Sequence, residues 1–147
     1  MEEFGPRVGV AALVVRDGNI LFMHRLSEHG QGTWSTPGGH VQYKEAPADT
    51  VRREVLEETG MEIGDVHFVT MTNDVFAESG KHYITLWFVA AWKTREPAIR
   101  EPHKCDEIRW VQWDELPQPT LVTYGNLTDT QKAELQQAIH QTEGGAL

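Results

Sequence analysis

The sequence has little cysteine and no long apolar run. A single cysteine, Cys105, stands among 147 residues, so no disulfide can form within the chain. This composition is typical of a reducing compartment, and we expect a cytoplasmic protein. The longest apolar run, residues 84–91, is strand-sized and far shorter than the roughly 18 residues of a membrane-spanning segment. Residues 1–4 are acidic where a signal peptide is basic, which favours a protein that is not exported.

The sequence is also poor in positive charge. It carries 13 Lys and Arg against 22 Asp and Glu, for a net charge of −9. Proteins that bind DNA or RNA neutralise phosphates with a basic patch. No such patch is present, so we expect no nucleic-acid partner. Because no apolar run is long enough to cross a bilayer, we expect no membrane partner either. A small phosphorylated substrate is still compatible with this charge, because bound divalent metals can reverse the local potential.

No internal repeat, low-complexity tract or linker divides the sequence. Its hydrophobic content of 39%, with five Trp and five Phe, is sufficient for one folded core. The length also fits one domain. We therefore expect a single domain over residues 1–147, with a frayed end over residues 143–147.

Hydrophobic patterning predicts strands, a helix, further strands and a second helix. In the first half it predicts a β-hairpin (8–15 with 20–26 across the turn 16–19), a polar loop (27–33), a Pro-Gly-Gly break (37–39), a short extended segment (41–43) and a helix (47–59). In the second half it predicts strands over 66–73, 83–92 and 108–113, a long polar connection over 93–107, and a helix from 128 or 129 to 140. This order predicts an α+β domain with αβα layers.

The helix predicted over residues 47–59 separates apolar from acidic side chains. Its inward stripe recurs at three- and four-residue spacing, and the glycine at position 60 is a natural C-terminal stop. The stripe consists of Ala48, Val51 and Val55. Three carboxylates at i, i+3 and i+4 project elsewhere within an arc of about 100°. These are Glu54, Glu57 and Glu58.

Clustered carboxylates on one helical face repel one another, and a hard cation such as Mg²⁺ would relieve that repulsion. Arg53 could orient a neighbouring carboxylate through a bidentate ion pair, and Glu45 would add an acid from the preceding loop. Gly38-Gly39 permits close backbone approach and could offer a carbonyl oxygen to the metal. The alternative is an ordinary solvated acidic face paired with Arg52 and Arg53.

These residues resemble the Nudix family signature, G-x5-E-x7-R-E-U-x-E-E-x-G-U, in which U is a bulky aliphatic residue. Every fixed position matches, and the only soft departure is a Met at the last position. The matching residues are Gly39, Glu45, Arg53-Glu54-Val55, Glu57-Glu58 and Gly60-Met61. The blocks TWSTPGGHVQYKE, KHYITLWF and EPHKCDEIRWVQWDELP extend the similarity to a MutT-like branch that acts on nucleoside triphosphates.

The resemblance implies a Nudix αβα sandwich with a mixed β-sheet and a loop–helix–loop at the active site. It also implies metal-dependent hydrolysis of a diphosphate linkage, with Mg²⁺, or Mn²⁺ as a substitute. The implied metal ligands are Glu54, Glu57, Glu58 and the carbonyl of Gly39 or Gly38. Either Glu54 or Glu58 would deprotonate the attacking water. Arg53 would orient Glu54, and Glu45 would be an additional acid.

Further candidates lie outside the signature, each with a structural alternative. Arg25 would contact phosphate or be a plain strand-end charge, and His40 would bond a phosphate or a metal-bound water, or only its own loop. Gly38 would lie against the substrate. Candidates for a base pocket, otherwise packing residues, are Thr36, Thr85 and Leu121, with Phe76 and Trp34 as stacking rings. Glu101 is a further candidate metal acid, whereas Cys105 is expected to be a packed, inert thiol.

Three functions compete. The first is a Mg²⁺-dependent pyrophosphohydrolase that cleaves a normal or oxidised (deoxy)nucleoside triphosphate, such as 8-oxo-dGTP, to a monophosphate and pyrophosphate. The second keeps the fold but acts on an NDP-sugar, a dinucleoside polyphosphate, a pterin triphosphate or a prenyl diphosphate, because specificity lies outside the motif. The third is a non-catalytic nucleotide sensor, which the retained acids disfavour. We also expect a homodimer.

Overall fold

The computed structural model describes residues 5–145 of the chain. Residues 1–4 and 146–147 lie outside this range. The structure therefore does not address the expectation, drawn from residues 1–4, that the protein is not exported, nor the last two positions of the expected frayed end. Within the described range, no helix is both long enough and apolar enough to span a bilayer.

One mixed sheet carries the fold. Its strands are β1 (Arg7–Arg16), β2 (Asn19–Arg25), β3 (Trp34–Ser35), β4 (Gly38–His40), β5 (Glu62–Phe76), β6 (Lys81–Thr94) and β7 (Cys105–Val111). The main path runs β3-β2-β1-β6-β5, while β4 pairs with β1 and β7 pairs with β2. The β1–β6 pair is parallel and the others are antiparallel. The helices are α1 (Pro47–Thr59), α2 (Val122–Gly125) and α3 (Asp129–Gly145).

Strand β1 is apolar on both faces because a helix covers each face. Val10, Ala12 and Val14 pack with Val51 and Val55 of α1 in one core cluster. The alternate residues of β1 join a second cluster with α3, in which Leu135 and Ile139 are buried. The sequence of a strand that is covered on both faces is a nearly continuous hydrophobic run, and β1 has such a sequence. The predicted αβα layering and α+β class are confirmed.

Local turn and cap chemistry fixes the hairpin and the helices. The β1–β2 turn places Asp17 and Gly18 at φ values of 51° and 78°, the positive values that a two-residue hairpin turn requires. Pro47 begins α1, and Gly60 ends it in the left-handed conformation at φ 78°. At α3, the Thr128 hydroxyl accepts from the Gln131 amide at 3.1 Å while the Gln131 side chain accepts from the Thr128 amide at 2.9 Å. This reciprocal pair is a capping box.

The structure corrects several predicted boundaries. The expected Pro-Gly-Gly break is partly a strand, β4. The expected extended segment over residues 41–43 belongs to no strand, although the Val41 amide still donates to the Val8 carbonyl. The glycines sit in a strand because β4 approaches β1 closely: a Cβ at Gly38 would collide with the Val10 carbonyl oxygen. Strands β5 and β6 are longer than predicted, and α3 continues past 140 to Gly145. The short β3 and α2 were not predicted.

Candidate active site

An acidic cleft of about 430 Å³ lies between β4, α1 and the chain entering β7. We name it for its three glutamates, Glu54, Glu58 and Glu101, although three basic side chains, Arg25, Lys81 and Lys104, also line it. A smaller pocket of about 150 Å³ adjoins it and shares Arg25 and Gly39 with the cleft. Three threonines line that space, Thr36, Thr85 and Thr123, and we call it the threonine pocket.

Arg53 joins the loop before α1 to the helix. Its guanidinium donates to both oxygens of Glu45, at 2.7 and 2.9 Å, and to Glu54 Oε1 at 2.7 Å. It also donates to the carbonyl of His40 at 3.0 Å. Hydrogen bonds from Arg53, the Gln42 amide and the Thr50 hydroxyl lower the pKa of Glu45 to about 2. Glu45 is therefore held as the ionised partner of Arg53, and Arg53 fixes Glu54 at the rim of the cleft.

Glu54 and Glu58 face the cleft side by side. The amide of Gly38 donates to Glu58 Oε2 at 3.3 Å, and the Glu54 carboxylate lies directly over Gly39, where a Cβ would collide with it. Burial, followed by the hydrogen bond and charge of Glu54, raises the pKa of Glu58 well above its ordinary value. Two carboxyls that share a confined site cannot both ionise without cost.

Arg25 presents a cation to both spaces. Its guanidinium donates to the His29 carbonyl at 3.0 Å, the Ser27 hydroxyl at 3.2 Å and the Ser35 hydroxyl at 3.3 Å. All three acceptors are neutral, and within residues 5–145 no carboxylate lies within ion-pair distance of this side chain. Burial lowers the pKa of the Arg25 guanidinium, which nevertheless keeps its charge at neutral pH. The arrangement suits an anionic ligand.

Aromatic rings line part of the threonine pocket. The His29 ring meets Phe76 edge-on, with centroids 4.1 Å apart, and Phe76 meets Tyr83 edge-on at 5.7 Å. His40 stacks on Tyr83 at 5.3 Å, and its Nε2 lies 3.1 Å from the Tyr83 hydroxyl. Burial and the nearby Arg25 lower the pKa of His29 to about 4, so this ring is neutral at pH 7. The pocket therefore presents aromatic rings beside the Arg25 guanidinium.

Comparison with known proteins assigns the family. The model of the NUDIX domain matches residues 5–130 of this chain. The chain belongs to the Nudix family. It is a Nudix hydrolase, and enzymes of this family act on pyrophosphate bonds.

Individual relatives agree with this assignment. The chain is 29% identical to the phosphatase NudJ of Escherichia coli strain K12 over 117 residues, which cover 78% of this chain and 74% of NudJ. A MutT NUDIX hydrolase from Burkholderia pseudomallei superposes with a TM-score of 0.79 at 30% identity, covering 90% of this chain and 99% of that one. The NUDIX domain of Shewanella oneidensis NrtR, solved with ADP ribose, shares the fold with a TM-score of 0.70 at 15% identity, covering 95% and 91%.

The fold gathers most, but not all, of the residues predicted for the Nudix site. Arg25, Gly38, Gly39, His40, Glu54 and Glu58 line the acidic cleft, as does Glu101. Thr36, Thr85, Leu121 and Phe76 line the threonine pocket. Trp34 instead belongs to the core, beneath the Arg109 guanidinium. Cys105 is buried, and burial raises the pKa of its thiol, as expected for an inert residue.

Glu45 and Glu57 stand apart from the other predicted acids. Glu45 does not line the cleft, because both of its oxygens are bonded to Arg53. The Glu57 side chain is 52% exposed, against 15% for Glu54, and lies 3.4 Å from Arg53. The convergent pair is therefore Glu54 with Glu58, and Glu57 flanks it on the solvent side.

Nudix hydrolases generally use divalent cations, and the donor set here fits a hard cation. Within residues 5–145, no three His, Cys, Asp or Glu side chains converge closely enough to hold an ion by themselves. The cleft instead offers the paired oxygens of Glu54 and Glu58 beside the backbone of Gly39. One or two carboxylates, completed by waters and substrate phosphates, is the arrangement that Mg²⁺ adopts in many phosphate enzymes.

Several residues of the threonine pocket were not anticipated from the sequence. His29, Tyr83 and Tyr124 line it together with Thr36, whose amide donates to the Tyr124 hydroxyl at 2.8 Å. The two-residue period of β6 could have linked Tyr83 to Thr85, because alternate strand residues share a face. A larger groove of about 620 Å³ beside β5 and α3 contains none of the predicted site residues.

Proposed function

We propose that this Nudix hydrolase cleaves a nucleoside triphosphate to a monophosphate and pyrophosphate, with Mg²⁺ as its metal. The supporting observation is the position of Arg25, a cation without a described carboxylate partner, in the lining of both the acidic cleft and the threonine pocket. A phosphate chain would extend along the cleft past Arg25 while the nucleoside ring enters the threonine pocket. Such a ligand uses both spaces at once.

Glu54 and Glu58, with Glu57 at their side and the Gly39 carbonyl, would hold the metal. When bound, Mg²⁺ would neutralise phosphate charge and favour ionisation of the attacking water. Arg53 keeps Glu54 aimed at the cleft and is itself held by Glu45. His40, at the border of the two spaces, would donate a hydrogen bond to a phosphate oxygen. Water adds to phosphorus, the phosphoanhydride P–O bond breaks, and the water proton passes to Glu54 or Glu58.

The threonine pocket favours a polar ring over a prenyl chain. Its surface carries hydroxyl groups from threonine and tyrosine, and an apolar chain could not use the hydrogen-bonding positions that these hydroxyls keep on the pocket side. A heteroaromatic ring can both bond these hydroxyls and lie against Phe76 and Tyr83. A normal or an oxidised base satisfies this description.

A substrate panel tests the proposal. It contains NTPs, dNTPs, 8-oxo-dGTP, a pterin triphosphate, an NDP-sugar, a dinucleoside polyphosphate and geranyl diphosphate, with products identified by mass spectrometry. We expect the highest kcat/KM for a nucleoside triphosphate, only with Mg²⁺, and loss of most turnover in Glu57→Gln, which should fold normally. Preference for geranyl diphosphate or the NDP-sugar would overturn the proposed substrate. Full activity of Glu57→Gln would remove Glu57 from the ligand set.

We also propose that the protein is a homodimer formed through β5. This 15-residue strand pairs only with β6 among the described strands and is therefore a sheet edge. Exposed apolar side chains lie along it at Phe68, Met71 and Val75, and residues 66–73 contain no Asp, Glu, Lys or Arg. Edge strands are normally protected by such charges. Antiparallel pairing of β5 with the same strand of a second copy would cover both edges.

A further inference from the structure

A fully buried carboxylate, Asp74 on β5, lies behind the threonine pocket. Its side chain accepts three hydrogen bonds from groups without formal charge. Thr72 and Thr85 donate to Oδ2 at 2.8 and 2.6 Å, and Asn126 donates to Oδ1 at 2.8 Å. The catalytic scheme above gives Asp74 no part, and neither Asp74 nor Thr72 lines the pocket.

The directions of these bonds follow from which groups can only donate. The Trp87 indole nitrogen is only a donor, and it lies 2.9 Å from Thr72 Oγ1, so Thr72 accepts there and gives its own proton to Asp74. A carboxylate is only an acceptor, so the Thr85 hydroxyl must also give its single proton to Asp74. Thr85 is the member of this network that lines the pocket, and it therefore presents only lone pairs there.

The opposite polarity holds at Thr36. The Tyr124 hydroxyl accepts from the Thr36 amide at 2.8 Å, and its own proton goes to Thr36 Oγ1 at 2.9 Å. Thr36 Oγ1 is thus an acceptor toward Tyr124, and its hydroxyl proton is free to point into the pocket. The pocket surface offers an acceptor at Thr85 and a donor at Thr36.

We propose that Asp74 is a positioning residue that fixes the hydrogen-bond polarity of this pocket, so that the substrate ring must present an N–H group to Thr85 and an acceptor to Thr36. The inference rests on the proposed function and narrows its substrates to nucleotides whose ring carries both an N–H donor and an acceptor, as the lactam or amino-imine edge of a nucleobase does. A ring whose N–H is methylated would leave a pocket acceptor unpaired, which sites built for hydrogen bonding reject strongly.

The test pairs each nucleotide with an analogue in which the N–H next to the O6, N1 or O4 acceptor is methylated: GTP with N1-methyl-GTP, ATP with N6,N6-dimethyl-ATP, and UTP with N3-methyl-UTP. For the preferred nucleotide, we expect the ratio of the wild-type KM for the methylated analogue to the KM for the parent nucleotide to be about 10 or more. Thr85→Val, which is isosteric but lacks the hydroxyl, should reduce that ratio to near one. Thr85→Ser should rescue the discrimination. A steric effect of the methyl group would instead persist in Thr85→Val and would overturn the proposal.

A second variant addresses Asp74 directly. In Asp74→Asn the carbonyl oxygen stays toward Asn126, so the new amide N–H groups face Thr85 and release the Thr85 proton into the pocket. We expect the KM of the preferred nucleotide to rise about 10-fold and the methylated analogue to be no longer disfavoured. A correctly folded Asp74→Asn with wild-type selectivity would overturn the proposal, and folding is checked by circular dichroism. If Asp74→Asn does not fold, the comparison of Thr85→Val with Thr85→Ser still tests the proposal.

Failure of the proposed function is distinguishable from failure of this inference. The same ligand pairs are measured by calorimetric binding to Glu58→Gln protein, in which turnover is not required. Hydrolysis without discrimination would overturn the inference and leave the function standing. If the methylated analogues bind more weakly than their parents but the wild-type protein hydrolyses neither, the proposed function is overturned and this inference stands. No binding of any nucleotide would overturn both.

Discussion

Two carboxylates, those of Glu54 and Glu58, are held side by side at the cleft although like charges repel. Arg53 fixes one of them and the Gly38 amide contacts the other, so neither can swing away freely. Burial raises the pKa of Glu58, which means that the folded chain binds this proton more tightly than the unfolded chain. By linkage, the group lowers the stability of the metal-free protein at neutral pH, and the loss disappears as the pH falls below the ordinary value of 4.5.

Glu58→Gln removes this repulsion together with a proposed ligand. In EDTA at pH 7 we expect the variant to melt at least about 2 °C above the wild-type protein, and to lose most Mg²⁺-dependent turnover. Differential scanning fluorimetry and a pyrophosphate-release assay measure the two effects. Mg²⁺ should raise the Tm of the wild type but not of the variant. The exposed acid Glu62, paired with Arg95, supplies the control Glu62→Gln. A destabilised but active Glu58→Gln would contradict this description.

Arg53→Lys keeps the charge but loses the two parallel bonds to Glu45. Because Arg53 also orients Glu54, we expect kcat/KM to fall by about 10- to 100-fold, the usual effect of disturbing a residue that orients a ligand. The fall should be accompanied by weaker Mg²⁺ activation, measured as the metal concentration that gives half-maximal rate. Unchanged kinetics would show that Glu54 is positioned without Arg53.

At the scale of elements, the short strand β4 positions the site by bringing two glycines between β1 and α1. A Cβ at Gly38 would collide with the backbone of Val10, whereas a Cβ at Gly39 would collide with the movable end of the Glu54 side chain. The same substitution at neighbouring positions therefore has different physical consequences. A side chain at position 38 would displace β1, whereas a side chain at position 39 would displace the proposed ligand Glu54.

Gly38→Ala and Gly39→Ala test this difference. We expect Gly38→Ala to lose about 3 kcal/mol or more of unfolding free energy, because β1 cannot move without disturbing the core. Gly39→Ala should lose only about 1 kcal/mol but most of its activity, because Glu54 must turn aside. Urea denaturation and initial rates separate the two. Equal stability losses in both variants would contradict the assignment of the clashes.

Some elements were predictable because residues within them mark their ends, whereas others depend on tertiary contacts that a local pattern does not show. Helix α1 was predicted to the residue because Pro47 and Gly60 mark its ends within the sequence itself. The sequence predicts a break where β4 lies, because two adjacent glycines usually interrupt a strand. Here the glycines are required by the close approach of β1 and Glu54, and that approach depends on the tertiary structure. The placement of Glu54 and Glu58 on one face of α1 was predictable in the same way, because it follows from their spacing in the sequence. The bond between Asp74 and Asn126 joins residues 52 positions apart and depends on the whole fold.

At the scale of the whole molecule, the sheet edge at β5, which pairs only with β6 among the described strands, predicts the assembly. Light scattering after size exclusion should give about 33 kDa, twice the 16.6 kDa of one chain. Phe68→Lys, which places a charge on the edge, should give a monomer. Tyr43→Lys, at an exposed residue in the loop before α1, should leave the dimer intact. A wild-type mass near 17 kDa at micromolar concentration would contradict the proposed dimer.

The products of one nucleoside triphosphate test the proposed activity most directly. The preferred triphosphate is incubated with the wild-type protein and with Glu58→Gln, each in Mg²⁺ and in EDTA, and the products are identified by mass spectrometry. We expect equal amounts of monophosphate and pyrophosphate, from the wild-type protein in Mg²⁺ alone. Release of diphosphate and orthophosphate, or turnover that survives in EDTA or in Glu58→Gln, would contradict a metal-dependent pyrophosphohydrolase built on the acidic cleft.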